Sequence, residues 1–195
     1  GVSPNEAGRL GRNGAVMNEA AVPGHARIAS AVHEAGGLIV LQLLHAGRYS
    51  RHENPVAPSA IASRINPTRP RELSETEILA TINDFANAAM LAKAAGYDGV
   101  EIMGSEGYLL NQFSAPRTNH RIDEWGGTAR NRRRLSTEIV RAVRDRCSER
   151  FILIYRQSLL DLVEGGSTFE EVVDQALAVE AAGANLINTG IGWHE

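Results

Sequence analysis

Residues 96–127 read GYDGVEIMGSEGYLLNQFSAPRTNHRIDEWGG, and this stretch decides the fold class. It opens on a glycine stop and a short apolar run, GVEIM (99–103), that reads as a buried strand. About two dozen residues follow before the next helical pattern begins. They carry Glu106, Tyr108, Asn111, Gln112, Arg117, Asn119, His120, Arg121, Asp123, Glu124 and Trp125. A connection of that length and polarity inside a compact domain is expected to bind or catalyse.

Working outward, the same grammar recurs on both sides. Upstream, Ile28, Ala31, Val32 and Ala35 recur at helical spacing and predict an inward helix face. The pattern stops at Gly36 and Gly37, and LIVLQL (38–43) reads as a strand buried on both faces. A second long connection, 45–73, holds four of the seven prolines. Ser74 and Glu77 then predict a capping box, with Leu73 stapling onto Ile78. Ile78, Ile82, Phe85, Ala86 and Ala89 continue that helix to the stop at Gly96. Downstream, residues 128–146 read as one helix with Leu135, Ile139, Ala142 and Val143 inward, its seven arginines forming a solvated face. The strand FILIYR (151–156) follows. A helix capped within Ser167–Glu171 carries Phe169, Val172, Val173 and Ala176 to Gly183, and a last strand, ANLIN (184–188), comes after it.

Helices ending on glycine and leading into apolar strands imply right-handed βα units and a parallel sheet. A doubly wound sheet and a (β/α)₈ barrel both satisfy the pattern. Four strands are evident, five if Gly1-Val2 is the tail of one, whereas a barrel needs eight and about 250 residues. The expectation is a single incomplete α/β domain, 1–195, lacking both ends of a larger unit.

Composition narrows the function classes. With 43% hydrophobic and 22% charged residues, the chain is an ordinary globular sequence. A net charge of −3 gives no electrostatic reason to bind nucleic acid or an acidic membrane. No apolar run is long enough to span a bilayer, and no secretory leader is read at the start. The lone cysteine, Cys147, excludes an internal disulfide and reads as a packing or surface residue; a cytoplasmic setting is expected. No His/Asp/Glu grouping has metal-ligand spacing, and there is neither a GxGxxG nor a Walker loop.

Polar residues where strands end are the candidates for chemistry, because barrel enzymes keep their sites there. Arg156 ends an apolar strand and must meet either a neighbouring carboxylate or a ligand. Gln42 is an amide inside a buried strand, satisfied by backbone or able to read the donor–acceptor edge of a heterocycle. Tyr108 is either a packing residue or a proton donor. His45 and His194 each follow a strand end and are open to acid, donor or ligand roles. Glu101 and Glu106 are candidates for a carboxylate pair.

The long stretch resembles the old yellow enzyme family of flavin-dependent NAD(P)H oxidoreductases. The matching pieces are GYDGVEI (96–102), GYLLNQF (107–113), SAP (114–116), Asn119, Arg121 and DEWGG (123–127), with LQLLHAGR (41–48) upstream. Most members carry a His pair, or His and Asn, just after the strand. This chain has MGSE (103–106) there, which, with IYR (154–156) and NTGIGWHE (188–195), is similar to the bacterial NADPH-dependent 2,4-dienoyl-CoA reductase branch of fatty-acid β-oxidation.

The resemblance implies a partial (β/α)₈ TIM barrel with FMN at its C-terminal mouth. It implies Gln42 at the flavin pyrimidine ring, Arg156 near flavin N1, and Tyr108 as proton donor. His194 is implied as partner to Tyr108 at the thioester, and Arg117 as a substrate contact. It further implies reduction of an activated C=C bond, with NAD(P)H as ultimate donor. FAD and a 4Fe–4S cluster would lie in other parts of the longer protein. The family's flavin-phosphate strands have no counterpart in 1–195, so this stretch alone is expected to hold FMN weakly. Alternatives are a generic ene-reductase or demethylase-like relative, and an inactive fragment. A Schiff-base lyase would have only Lys93, on a helix, to use.

Overall fold

Four parallel strands form the centre: β1 (Val40–Leu43), β4 (Gly99–Gly104), β5 (Ile152–Leu160) and β6 (Leu186–Ile191). They lie in the order β1-β4-β5-β6, so each crosses to its next neighbour through a helix. The computed structural model describes Gly1–Glu195 throughout. The crossovers are α2 (Glu75–Ala94), α5 (Arg134–Cys147) and α6 (Phe169–Ala181), and α1 (Val22–Glu34) precedes β1. Val2 forms an isolated parallel bridge with Leu43, beside β1.

Both predicted capping boxes form. Ser74 and Glu77 exchange side-chain and backbone bonds at the start of α2, as Thr168 and Glu171 do at α6. Such caps occupy donors that the first helical turn leaves orphaned. The glycine stops also hold. Gly183 closes the α6 joint at φ +116°, and a Cβ there would lie 2.7 Å from the Arg144 stem.

The strands alternate. Leu41, Leu43, Val100, Ile102, Leu153 and Tyr155 face the helices and join one core with Ile78, Phe85, Leu135, Ile139 and Val143. The register places Gln42 beside Glu101, Met103 beside Arg156, and Arg156 beside Asn188 on the other face. One face is thus a packed core and the other carries polar groups towards the strands' C-terminal ends. Phe85 is fully buried in the first of these. Phe85→Ala is expected to cost about 3–5 kcal/mol, read as a lower urea midpoint at unchanged slope.

Several expectations are corrected. On α1 the buried residue is Ala29; Ile28, Ala31 and Ala35 are exposed and Val32 is only partly covered. Periodicity located an apolar face but not its neighbour. Phe169 and Val173 on α6 are exposed in the same way. The segment 128–146 is two helices, α4 (Ala129–Arg132) and α5, meeting at Arg133. Its arginines are not all a solvated face. Arg132 is buried and donates to Ser114 O at 2.9 Å, and Arg144 donates to the carbonyls of Phe151 and Gly183.

The connection 45–73 contains a two-residue ladder unmarked in the sequence, β2 (Val56–Ala57) with β3 (Arg71–Glu72). The long stretch after β4 contains α3 (Leu109–Ser114). Cys147 is buried at the end of α5, and no helix is long and apolar enough to cross a membrane.

Candidate active site

The loops following β1, β4 and β5 meet above the strands, held by buried amides. Gln112 donates to Gly107 O at 2.7 Å and Ala46 O at 3.2 Å, and accepts from the amide of Arg48. Asn111 accepts from the amide of Gly107 and donates to Asp161. Asn119 and Arg121 likewise bind loop carbonyls. Much of the polarity that marked 96–127 as functional therefore satisfies its own backbone, which a buried irregular segment requires.

Past β4 the chain makes one costly turn. Glu106 sits at φ +62°, a region non-glycine residues rarely occupy. Strain of this kind persists where surrounding bonds over-determine it, and it concentrates at functional positions. Gly107 follows at φ +82°, and a Cβ there would fall 2.3 Å from the Tyr49 hydroxyl. The pair of turns aims the Glu106 carboxylate into the mouth and leaves Tyr108 at the N-cap of α3.

The result is a continuous chain of groups. Arg156 Nη2 and Nε donate to Glu106 Oε1 at 2.8 and 3.1 Å. Glu106 Oε2 is 3.6 Å from His194 Nε2, which is 3.1 Å from the Tyr108 hydroxyl. Burial, and secondarily the Glu106 charge, push the Tyr108 pKa upward, so the side chain stays a phenol at neutral pH. Tyr49 stands edge-on to Tyr108 with ring centroids 5.8 Å apart, and 6.0 Å from His194. Its own hydroxyl is buried without a partner and pushed up to about 12 by burial.

A second network lies deeper. Glu101 accepts from Gln42 Nε2 at 2.7 Å and from Asn188 Nδ2 at 2.6 Å. Gln42 Oε1 accepts nothing from the protein, leaving an open acceptor beside its committed amide group. Between the networks, Leu44, Ala46 and Met103 form a small apolar pad against Tyr108, separate from the main core. An apolar pad, an amide with a free oxygen and the Arg156 cation fit a flat ring with a polar edge and a site of developing negative charge.

Tyr108, His194 and Arg156 therefore come together, and Gln42 joins them through the neighbouring network. Arg117 does not enter this chain of groups. It donates to Glu164 O at 3.0 Å, at the rim near Arg48 and Tyr49. Glu101 and Glu106 are not a pair, because each centres its own network. His45 is structural: it is buried, its Nδ1 accepts from the amide of Gly47, and burial lowers its pKa to about 3. Sequence reasoning passed over Tyr49, Arg48, Trp193 and Glu195. Their proximity to the site arises from contacts across much of the chain. No three His, Cys, Asp or Glu side chains cluster as metal ligands would.

The sequence model of the NADH:flavin oxidoreductase / NADH oxidase family matches residues 1–195. The chain belongs to that family. Among relatives, an NADH oxidase of Thermoanaerobacter brockii is 39% identical over 177 residues, covering 88% of this chain and 27% of that protein. Among solved structures, a 2-naphthoyl-CoA reductase in complex with 2-naphthoyl-CoA superposes on all of this chain at TM-score 0.94 and 30% identity. A morphinone reductase in complex with tetrahydroNAD superposes on 96% of it at TM-score 0.85 and 30% identity. The chain spans 32% and 58% of those two proteins. The family likeness identifies the four parallel strands and their helices as part of a TIM barrel, and the networks above sit at its C-terminal mouth, where barrel enzymes work.

Proposed function

We propose that residues 1–195 are the central part of an FMN-dependent reductase that adds hydrogen across an activated C=C bond, most specifically that of a 2,4-dienoyl-CoA thioester. The observation that carries this is the line Arg156–Glu106–His194–Tyr108, which ends in a protonated phenol beside the apolar pad. Family membership supports the flavin, and the likeness to a reductase complexed with a CoA thioester supports the substrate class.

Gln42 Oε1, Arg156 and the Leu44/Met103 pad would hold FMN. When bound, FMN supplies hydride chemistry, with NAD(P)H as ultimate donor. The chain's residues do the rest. Tyr108 delivers a proton from its hydroxyl to the substrate carbon that carries negative charge after hydride addition. His194 Nε2 steadies the phenolate and returns a proton to it, and Glu106, 3.6 Å away, orients the imidazole. Arg117, at the rim, contacts the substrate's polar tail. In the longer protein, the same reading places FAD and a 4Fe–4S cluster outside this stretch.

The test uses the complete protein loaded with FMN and reduced anaerobically. Mixing with a dienoyl-CoA should reoxidise the flavin and consume one double bond. A protein that reduces simple enones but no thioester would replace the dienoyl-CoA assignment with the generic ene-reductase reading. Absence of clustered cysteines in the complete chain would remove the iron–sulfur part alone.

A further inference from the structure

We propose that Arg48 is a positioning residue that sets His194 against Tyr108 by gripping both of its sequence neighbours. The proposal rests on the reading of Tyr108 and His194 as the proton-delivering pair.

His194 lies in the segment after β6. Gly192 donates its amide to Leu160 O at 2.7 Å. Side chains of this segment reach the turn after β1. Arg48 pairs with the Glu195 carboxylate, both side chains being nearly fully buried. The same guanidinium lies 5.5 Å from the centre of the Trp193 ring. Glu195 Oε2 also accepts from the amide of Arg64 at 2.7 Å. The residues before and after His194 are thus both fastened to one side chain.

Arg48 is itself anchored. Its amide donates to Gln112, its Nη1 donates to Ala62 O at 3.2 Å, and its carbonyl accepts from Asn66 Nδ2 at 3.2 Å. Burial lowers its pKa to about 10, which leaves it cationic at neutral pH. The next residue, Tyr49, packs its ring against both His194 and Tyr108. The short turn Gly47–Tyr49 therefore supplies both the clamp on the His194 segment and the ring that flanks the two reacting side chains. Neither His194 nor Tyr108 accepts a hydrogen bond from Arg48, so its influence passes through Trp193 and Glu195.

Burying a guanidinium carries a desolvation penalty of several kcal/mol, which paired geometry must offset. A planar guanidinium can stack on an indole and bond a carboxylate at once, whereas an ammonium gives the charge without the planar stack.

The experiment uses the complete flavin-loaded protein and four variants: Arg48→Met, Arg48→Lys, Trp193→Leu and His194→Ala. Arg48→Met should lower kcat for alkene reduction about 100-fold, the scale of a misplacement near 1 Å. KM should change little, and flavin reduction by NAD(P)H should be unaffected. Arg48→Lys should recover part of the loss. In the His194→Ala background, Arg48→Met should add less than about twofold, because groups acting through one another are non-additive. Independently of turnover, the His194 ring-proton resonance, assigned by its absence in His194→Ala, should shift in Arg48→Met as the ring leaves the two tyrosines. Trp193→Leu should give the same pattern at smaller size and serves if Arg48→Met does not fold. Additive losses with His194→Ala, or an unmoved His194 resonance in a folded variant, would overturn the proposal. If the wild-type protein reduces no alkene, the proposed function falls, and the resonance still decides what Arg48 does.

Discussion

Tyr108→Phe is expected to slow alkene reduction by about 10²–10⁴-fold while flavin reduction by NAD(P)H keeps its wild-type rate. The substitution removes one oxygen, and that oxygen has one partner, His194 Nε2 at 3.1 Å. The ring that remains still packs on Tyr49 and the Leu44/Met103 pad, so folding is little changed. The loss should therefore appear in kcat of the second half-reaction. The pH profile of the wild-type rate carries the same logic. A donor works in its protonated form, and burial raises the Tyr108 pKa above the ordinary phenol value. Loss of the donor is thereby displaced to higher pH, and the limb set by Tyr108 should descend at a higher pH than an ordinary phenol would give. Stopped-flow traces of the two half-reactions across pH check both statements. Equal slowing of both half-reactions would mean that Tyr108 holds the flavin rather than the proton.

Arg156→Met is the second large effect. Glu106 accepts two bonds from this guanidinium, and its unfavourable backbone conformation is maintained in part by them. Without the cation, keeping the carboxylate in its partly covered position would cost about 1–3 kcal/mol. That is below the figure for fully buried pairs, because both side chains keep roughly a quarter of their surface in solvent. Glu106 then swings away and His194 loses its orienting charge, so alkene reduction should fall about 100-fold. Removing a positive charge from the proposed flavin edge should also make the flavin harder to reduce. The checks are urea unfolding and a redox titration of the loaded protein. An unchanged potential would leave Arg156 as a positioning group for Glu106 and take it away from the flavin.

The sequence showed most of the frame because the frame is local. Capping boxes at Ser74 and Thr168, and glycine stops at Gly96 and Gly183, act within one turn of the residues that encode them. Strand polarity was legible too, since Gln42 and Arg156 break apolar runs at the face away from the helices. The buried helix face was legible for α2 and α5 but not for α1 and α6. Ile28 and Phe169 belong to apolar faces that the described residues leave exposed, and only tertiary placement reveals this. His45 shows the opposite failure: a histidine after a strand resembles a catalytic group until burial removes it from solvent.

The candidate site was half legible. Arg156 stands out by type and position, and the family resemblance singles out Tyr108 and His194, but the sequence offers the carboxylate between them only as a candidate partner of Glu101. Its role depends on a left-handed backbone at Glu106 that no local motif announces. The pairing of Arg48 with Glu195 bridges two distant parts of the chain, so spacing could not reveal it.

The central claim is that this mouth reduces an activated alkene, with Tyr108 delivering the proton. A single-turnover experiment addresses it most directly. The complete protein, loaded with FMN and reduced anaerobically, is mixed with a dienoyl-CoA in deuterated water, and flavin absorbance and product are followed together. The account predicts rapid reoxidation, a product with one double bond fewer, and one solvent deuterium on carbon, with Tyr108→Phe slowing all three alike. A flavin that stays reduced in the presence of dienoyl-CoA and simple enones alike, or a Tyr108→Phe protein that turns over at the wild-type rate, would contradict it.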